Sequence, residues 1–124
     1  MAADLILRFP AGLAGFENRR NFTLVTRPEL DPLVLLQDAD SEDLCFPATP
    51  VASIDPGYSL EVEPDDQALL GEASDILILA ILSPAENGRW TANLLAPVVI
   101  NLGTRTAVQA VRSDSRYSHI HPCS

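Results

Sequence analysis

The chain has 124 residues, 47% of them hydrophobic, with 17 acidic residues, eight arginines, no lysine and a net charge of −9. That length implies one domain, residues 1–124, whose surface scales to roughly 6,500 Å2 folded against roughly 19,000 Å2 unfolded, so a core can form without disulfides or metal. The apolar content excludes a disordered chain, while the acidity disfavours contact with phosphate backbones and favours a basic protein partner.

In chain order, residues 4–9 alternate, with Leu5, Leu7 and Phe9 on one face, and Pro10 stops the strand. Gly12 and Gly15 then predict a turn from which Phe16 folds back onto the core. Residues 22–26 alternate as a second strand. Residues 33–37 form a nearly continuous apolar run, the pattern of a strand buried on both faces. The segment 38–43 carries four acids in six residues and reads as a solvated loop. Strand character resumes over 44–48, and Pro47 and Pro50 place this strand at an edge or beside a bulge, because proline removes ladder donors.

Tyr58, Leu60 and Val62 alternate with Ser59, Glu61 and Glu63, which predicts a half-exposed strand with an acidic outer face. Residues 64–71 are the one clear helix: Pro64 opens it, Asp65 and Asp66 sit where the macrodipole favours acids, and Gly71 stops it. An Ile/Leu-rich strand follows over 75–82. Asn87-Gly88 signals a tight turn. Trp90 then leads into 91–101 (TANLLAPVVIN), a buried strand with a proline break, and Asn93 and Asn101 bracket its apolar part. Asparagine beside buried apolar residues needs hydrogen-bond partners, so these two are expected to fix backbone geometry. Residues 107–111 are the last clear strand. About eight or nine short strands and one short helix make the fold nearly all-β, a single barrel-like or two-sheet domain.

The chemistry of catalysis and metal binding is thin. Ser113, Asp114, Ser115, His119 and His121 supply the residue types of a hydrolase triad, but a triad is a geometry and no Gly-x-Ser-x-Gly elbow accompanies them. His119-x-His121-x-Cys123 could face one side of an extended strand as a soft metal site, yet a fourth ligand is missing, and the segment reads as an exposed tail. Paired acids at Glu61/Glu63 and Asp65/Asp66 lie on a solvated face rather than across a cleft. No phosphate loop, dinucleotide fingerprint or zinc-finger spacing occurs. No catalytic residue, metal or cofactor is therefore expected. Cys45, in an apolar run, is expected as a buried free thiol, and a disulfide to Cys123 is not required. The opening residues lack a signal-type apolar stretch, and no apolar run approaches ~18 residues, so a cytoplasmic protein is expected.

Three separated runs carry a resemblance: 8–17 (RFPAGLAGFE), 91–101 (TANLLAPVVIN) and 113–122 (SDSRYSHIHP). Together, and in this order, they resemble the flagellar assembly factor FliW family. Leu36-Gln37, the bend at Asp55-Pro56 with Tyr58, and Asp114, Ser115, Arg116 and Tyr117 match further points of the pattern. Trp90 stands where other members often carry a polar or aliphatic residue, and Pro47 and Pro50 replace an aromatic-rich run. The resemblance implies a β-rich, barrel-like and non-enzymatic regulator. It implies binding to flagellin and to the RNA-binding translational repressor CsrA, with relief of flagellin repression acting allosterically rather than by occupying the RNA site. No nucleic acid or membrane is an expected partner, and a monomer is expected.

For partner contacts, the candidates are Asn93, Leu94, Leu95 and Pro97 in the central run, which serve equally well as a core strand with a bend. The acids Asp38, Asp40, Glu42 and Asp43, with Glu61, Glu63, Asp65 and Asp66, are candidates for steering a basic partner. The competing readings are a small acidic β-barrel that binds a small ligand, and a chaperone of flagellin alone.

Overall fold

Alternation of apolar and polar side chains shapes most of the walls of this molecule. The computed structural model describes residues 3–58, 62–72, 75–111 and 117–122. In chain order its strands are β1 (Ala3–Arg8), β2 (Asn21–Thr26), β3 (Val34–Asp38), β4 (Cys45–Pro50), β5 (Ile76–Pro84), β6 (Trp90–Ala92), β7 (Val98–Asn101), β8 (Thr106–Gln109) and β9 (His121–Pro122). A helix, α1 (Pro64–Leu70), lies between β4 and β5.

Seven strands run in the order β4-β3-β2-β1-β8-β7-β5, and a β4–β5 pairing closes them into a barrel. Neighbours are antiparallel except β1 and β8, which meet in parallel at Arg8 and Thr106. β5 is long enough to outrun the ring. Its first half pairs with β7, while Leu82, Ser83 and Pro84 pair with Ala92, Thr91 and Trp90 of β6. β9 then adds to the far side of β6. The result is the nearly all-β barrel that the strand spacing predicts, with a small ladder projecting from it.

The barrel interior holds Leu7, Phe9, Phe22, Leu36, Leu79, Val98 and Ile100, each fully buried. Burying a side chain of this size contributes about 1.5–3 kcal/mol. Phe9 meets Phe22 edge-on with ring centroids 5.2 Å apart, and Phe16 meets Phe46 in the same way at 5.4 Å, so the opening turn does fold back onto the core. Gly12 makes that turn possible. Its φ is +68°, and a Cβ there would lie 2.6 Å from the backbone of Glu17.

β7 is buried on both sides, because Val98 and Ile100 face the barrel while Val99 packs with Val108 and Leu70 under α1. The helix follows its sequence signals: Pro64 at the first turn, Asp65 and Asp66 behind it, and Gly71 at φ +82° past the end. No helix among the described residues is long and apolar enough to cross a membrane.

Several expectations are corrected. β3 is not buried on both faces: Val34, Leu36 and Asp38 are buried while Leu35 and Gln37 are half-exposed, since only the inner face of a barrel strand is covered. β4 is not an edge. It pairs with β3 over Cys45–Ala48 and with β5 over Ala48–Pro50, and ladders this short tolerate the donors missing from Pro47 and Pro50. Cys45 is exposed, because it is the first residue of β4 as the chain leaves the acidic loop. The Asn87-Gly88 turn takes the form of a 3-10 turn over Glu86–Gly88. Tyr58, Val62 and Glu63 lie outside any strand, and residues 59–61 of that expected strand lie outside the described residues. His121 and Pro122 are not part of a loose tail, since they pair with Ala92 and Thr91.

Candidate functional site

The three runs that stood out in the sequence meet at the projecting β5–β6 ladder. Between β6 and β7 the chain leaves the ladder for five residues, 93–97, and this loop, none of whose residues is fully exposed, is pinned at both ends. Asn93 donates its backbone N–H to the Ile81 carbonyl at 3.0 Å, while its side-chain Oδ1 accepts from the N–H groups of Leu95 and Ala96 at 3.1 and 3.0 Å. The Leu94 N–H donates to Ser118 O at 2.9 Å, and the Tyr58 hydroxyl donates to Leu94 O at 2.7 Å. Gln109 donates to the Ala96 carbonyl at 3.1 Å and accepts from the Ala14 N–H at 2.8 Å, which ties the opening turn to the central run. The Asn93 side chain supplies one acceptor for two backbone N–H groups, and the Gln109 amide serves the backbone as donor and acceptor together.

A pleated ladder presents alternate side chains on opposite faces, so this one has two. Ile81, Ser83, Thr91 and Asn93 face one way, into a cavity of about 300 Å3 completed by Leu13, Ala14, Phe46, Gln109, His119 and Ile120. All three sequence runs contribute to its wall. Leu82 and Trp90 face the other way, into a groove of about 320 Å3 with Pro32, Leu33, Pro47, Thr49, Ser53 and Ile54. Its lining is mostly carbon, and Trp90 and Leu33 remain 41% and 38% exposed. The sequence reading missed this groove. Its signal was the pair of departures from the resemblance, Trp90 and Pro47, which β4 and β6 bring to one place.

The expected contact residues separate on inspection. Leu94 is 1% exposed and packs with Val51, Ala80, Leu82 and Ala92. Pro97 is buried and Leu95 half-buried, while Asn93 spends its side chain on the loop. Among the acids, Asp38 does not belong to the solvated loop. Its carboxylate is buried at the end of β3 and accepts from Asp40 N–H at 2.9 Å and from the Arg19 guanidinium at 2.6 Å. Those two donors, the backbone one foremost, hold it below the usual carboxylate range.

Asp40, Glu42 and Asp43 are exposed on the β3–β4 loop, and Glu63 and Asp65 are exposed at the start of α1. Asp66 beside them is half-buried. Burial first, and the charges of Asp65 and Glu63 next, push its carboxyl above the ordinary range. α1 packs over β8, which lies across the ring from β3, so the two acidic groups are not brought together. Glu61 lies outside the described residues.

Ser113, Asp114, Ser115, Arg116 and Cys123 also lie outside the described residues. His119 lines the motif cavity, whereas His121 lines a different depression with Asp55, Leu94 and Tyr117, so the two imidazoles do not share one face. Among the described residues no group of three or more His, Cys, Asp or Glu side chains is placed to hold a metal. What the ladder offers is surface: a cavity of mixed polar and apolar wall on one side and a mostly apolar groove on the other.

Comparison with known proteins finds one family over nearly the whole chain. A family model described as FliW protein matches residues 1–123. The flagellar assembly factor FliW of Bacillus subtilis is 32% identical over 122 residues, covering 96% of this chain and 85% of its own length. That of Syntrophomonas wolfei is 32% identical over 120 residues, with 94% and 77% covered. The Azoarcus protein of the same name is 36% identical over 118 residues, with 87% and 80% covered. The fold agrees with a crystal structure of the flagellar assembly factor FliW at a TM-score of 0.84 and 29% identity, over 94% of this chain and 84% of that one.

Proposed function

The chain belongs to the FliW family of flagellar assembly factors, and from that membership we propose that it works in the cytoplasm by binding two proteins in turn. One is flagellin. The other is a basic RNA-binding repressor of the CsrA type, whose hold on the flagellin message the bound protein relieves. No chemical step belongs to this role.

The observation that supports it best is the convergence of all three sequence runs on a projecting ladder with two unlike faces. Such a ladder can present separate surfaces to different partners. The charge balance supports a basic partner, because a net charge of −9 attracts and orients a cationic protein before contact while repelling the RNA that competes for it.

Calorimetric titration with the host's CsrA-type repressor, with and without its target RNA, tests the proposal. Tight binding that expels the RNA is the expected result. Binding to flagellin without binding to the repressor would reduce the role to a flagellin chaperone. Binding to neither would leave the family fold without this function.

A further inference from the structure

We propose that the groove beneath Trp90 is a docking slot for a large apolar side chain carried on a cationic segment of a protein partner. The proposal rests on the binding function above, in which the basic repressor is the partner with this chemistry. Trp90 and Pro84 are directly opposed across the β5–β6 ladder, and the indole borders a slot walled by Leu33, Pro47 and Leu82. A slot of about 320 Å3 with little polar lining suits an apolar anchor residue rather than a charged or sugar ligand.

The charges around it select the rest of the partner. Asp31 immediately precedes Pro32 and Leu33, Glu29 stands two residues before it, Asp55 follows Ile54, and Glu86 lies in the turn before Trp90. Arg27, the cation on the Leu33 side, is bonded to Asp4 at 2.6 Å. Arg89 is the one other cation adjoining these residues in the chain, so the segments that flank the lining residues carry a net negative charge. Three alternative occupants are therefore disfavoured. A second copy would bring the same acidic segments against these, a membrane with anionic headgroups would be repelled, and so would nucleic acid. A segment with Lys or Arg flanking an apolar side chain satisfies both the slot and its flanking segments.

Trp90 is the only tryptophan, so 5-fluorotryptophan labels this site alone. The labelled protein is titrated with the host's CsrA-type repressor while its fluorine resonance and the binding heat are followed. The expected result is a shift of that resonance that saturates with the heat. Leu33→Asp should weaken binding tenfold or more, and Glu29→Lys with Asp31→Lys should slow association severalfold and flatten its salt dependence. Ile6→Ser, on an exposed position of β1 away from the groove, should change neither. Leu33 is itself partly exposed, and an unchanged melting temperature shows that its variant folds.

Repressor binding by the wild type that leaves the fluorine resonance unmoved, or that survives Leu33→Asp, overturns the groove assignment and leaves the binding function standing. A resonance that moves with flagellin but not with the repressor also overturns it. No wild-type binding to the repressor overturns the underlying function instead.

Discussion

Asn101 is wholly buried, and its side chain serves two elements together. Its amide donates to the carbonyls of Leu70 and Glu72 at 3.0 and 2.9 Å, satisfying the end of α1, while Oδ1 accepts from the N–H groups of Gly103 and Thr104. Asn101→Ala should cost about 2–4 kcal/mol, because it leaves buried backbone groups without partners, and denaturant unfolding would measure the loss. Asn101→Asp keeps the acceptor but loses both donors, so it should be no better tolerated at neutral pH.

Asp38 gives a prediction with a sign in pH. Its folded carboxyl is held down by the Asp40 N–H and by Arg19, so the stability it contributes is present above the unfolded value of about 3.9. That contribution is lost as pH falls through the lower folded value. The wild type should therefore lose stability below about pH 4, and Asp38→Asn should flatten that part of the curve. At neutral pH the same variant should be less stable by about 1–2 kcal/mol. A curve of unchanged shape would show that ionisation of Asp38 contributes nothing to folding.

Among the elements, the 93–97 loop decides how the central run is understood. Leu94 sits in a small core with Val51, Ala80, Leu82 and Ala92, flanked by Tyr58 and Tyr117, whose rings lie 4.3 Å apart. Leu94→Ala should cost about 2–5 kcal/mol through the cavity it leaves. Because the side chain faces inward, affinity for either partner should hold wherever the variant remains folded. A variant that is stable but loses one partner would instead make Leu94 a contact residue.

This loop also marks how far the sequence carries. Most strand positions (the expected strand at 58–63 excepted), α1 and the roles of Asn93 and Asn101 were legible, because period-two alternation, a Pro-acid-acid start, a glycine stop and asparagine caps are local signals. The partners of β4, the burial of Asp38 against Arg19 and the exposure of Cys45 were not. Each depends on which distant strand closes the barrel, and nothing within a few residues encodes that. The groove was hidden for the same reason: Pro32, Pro47 and Trp90 are far apart in the chain and meet only after closure.

For the molecule as a whole, the consequence of a net charge of −9 with no lysine is kinetic. Exposed acids stand at the start of α1 and on the β3–β4 loop, on different sides of the barrel, so neither forms one patch with the other. Their effect on a basic partner is then a summed field that raises the rate of encounter and is screened within about 8–10 Å at physiological salt. Asp65→Lys with Asp66→Lys should slow association with the repressor severalfold at low salt and leave dissociation nearly unchanged. Asp40→Lys with Asp43→Lys should do the same from the opposite side. Both effects should fade together as salt rises, whereas the loss from Leu33→Asp should persist, because an apolar slot is not screened. Stopped-flow association at several salt concentrations separates the two. If neither pair of reversals changes the salt slope, the acidic surface serves solubility and partner choice rests on the groove alone.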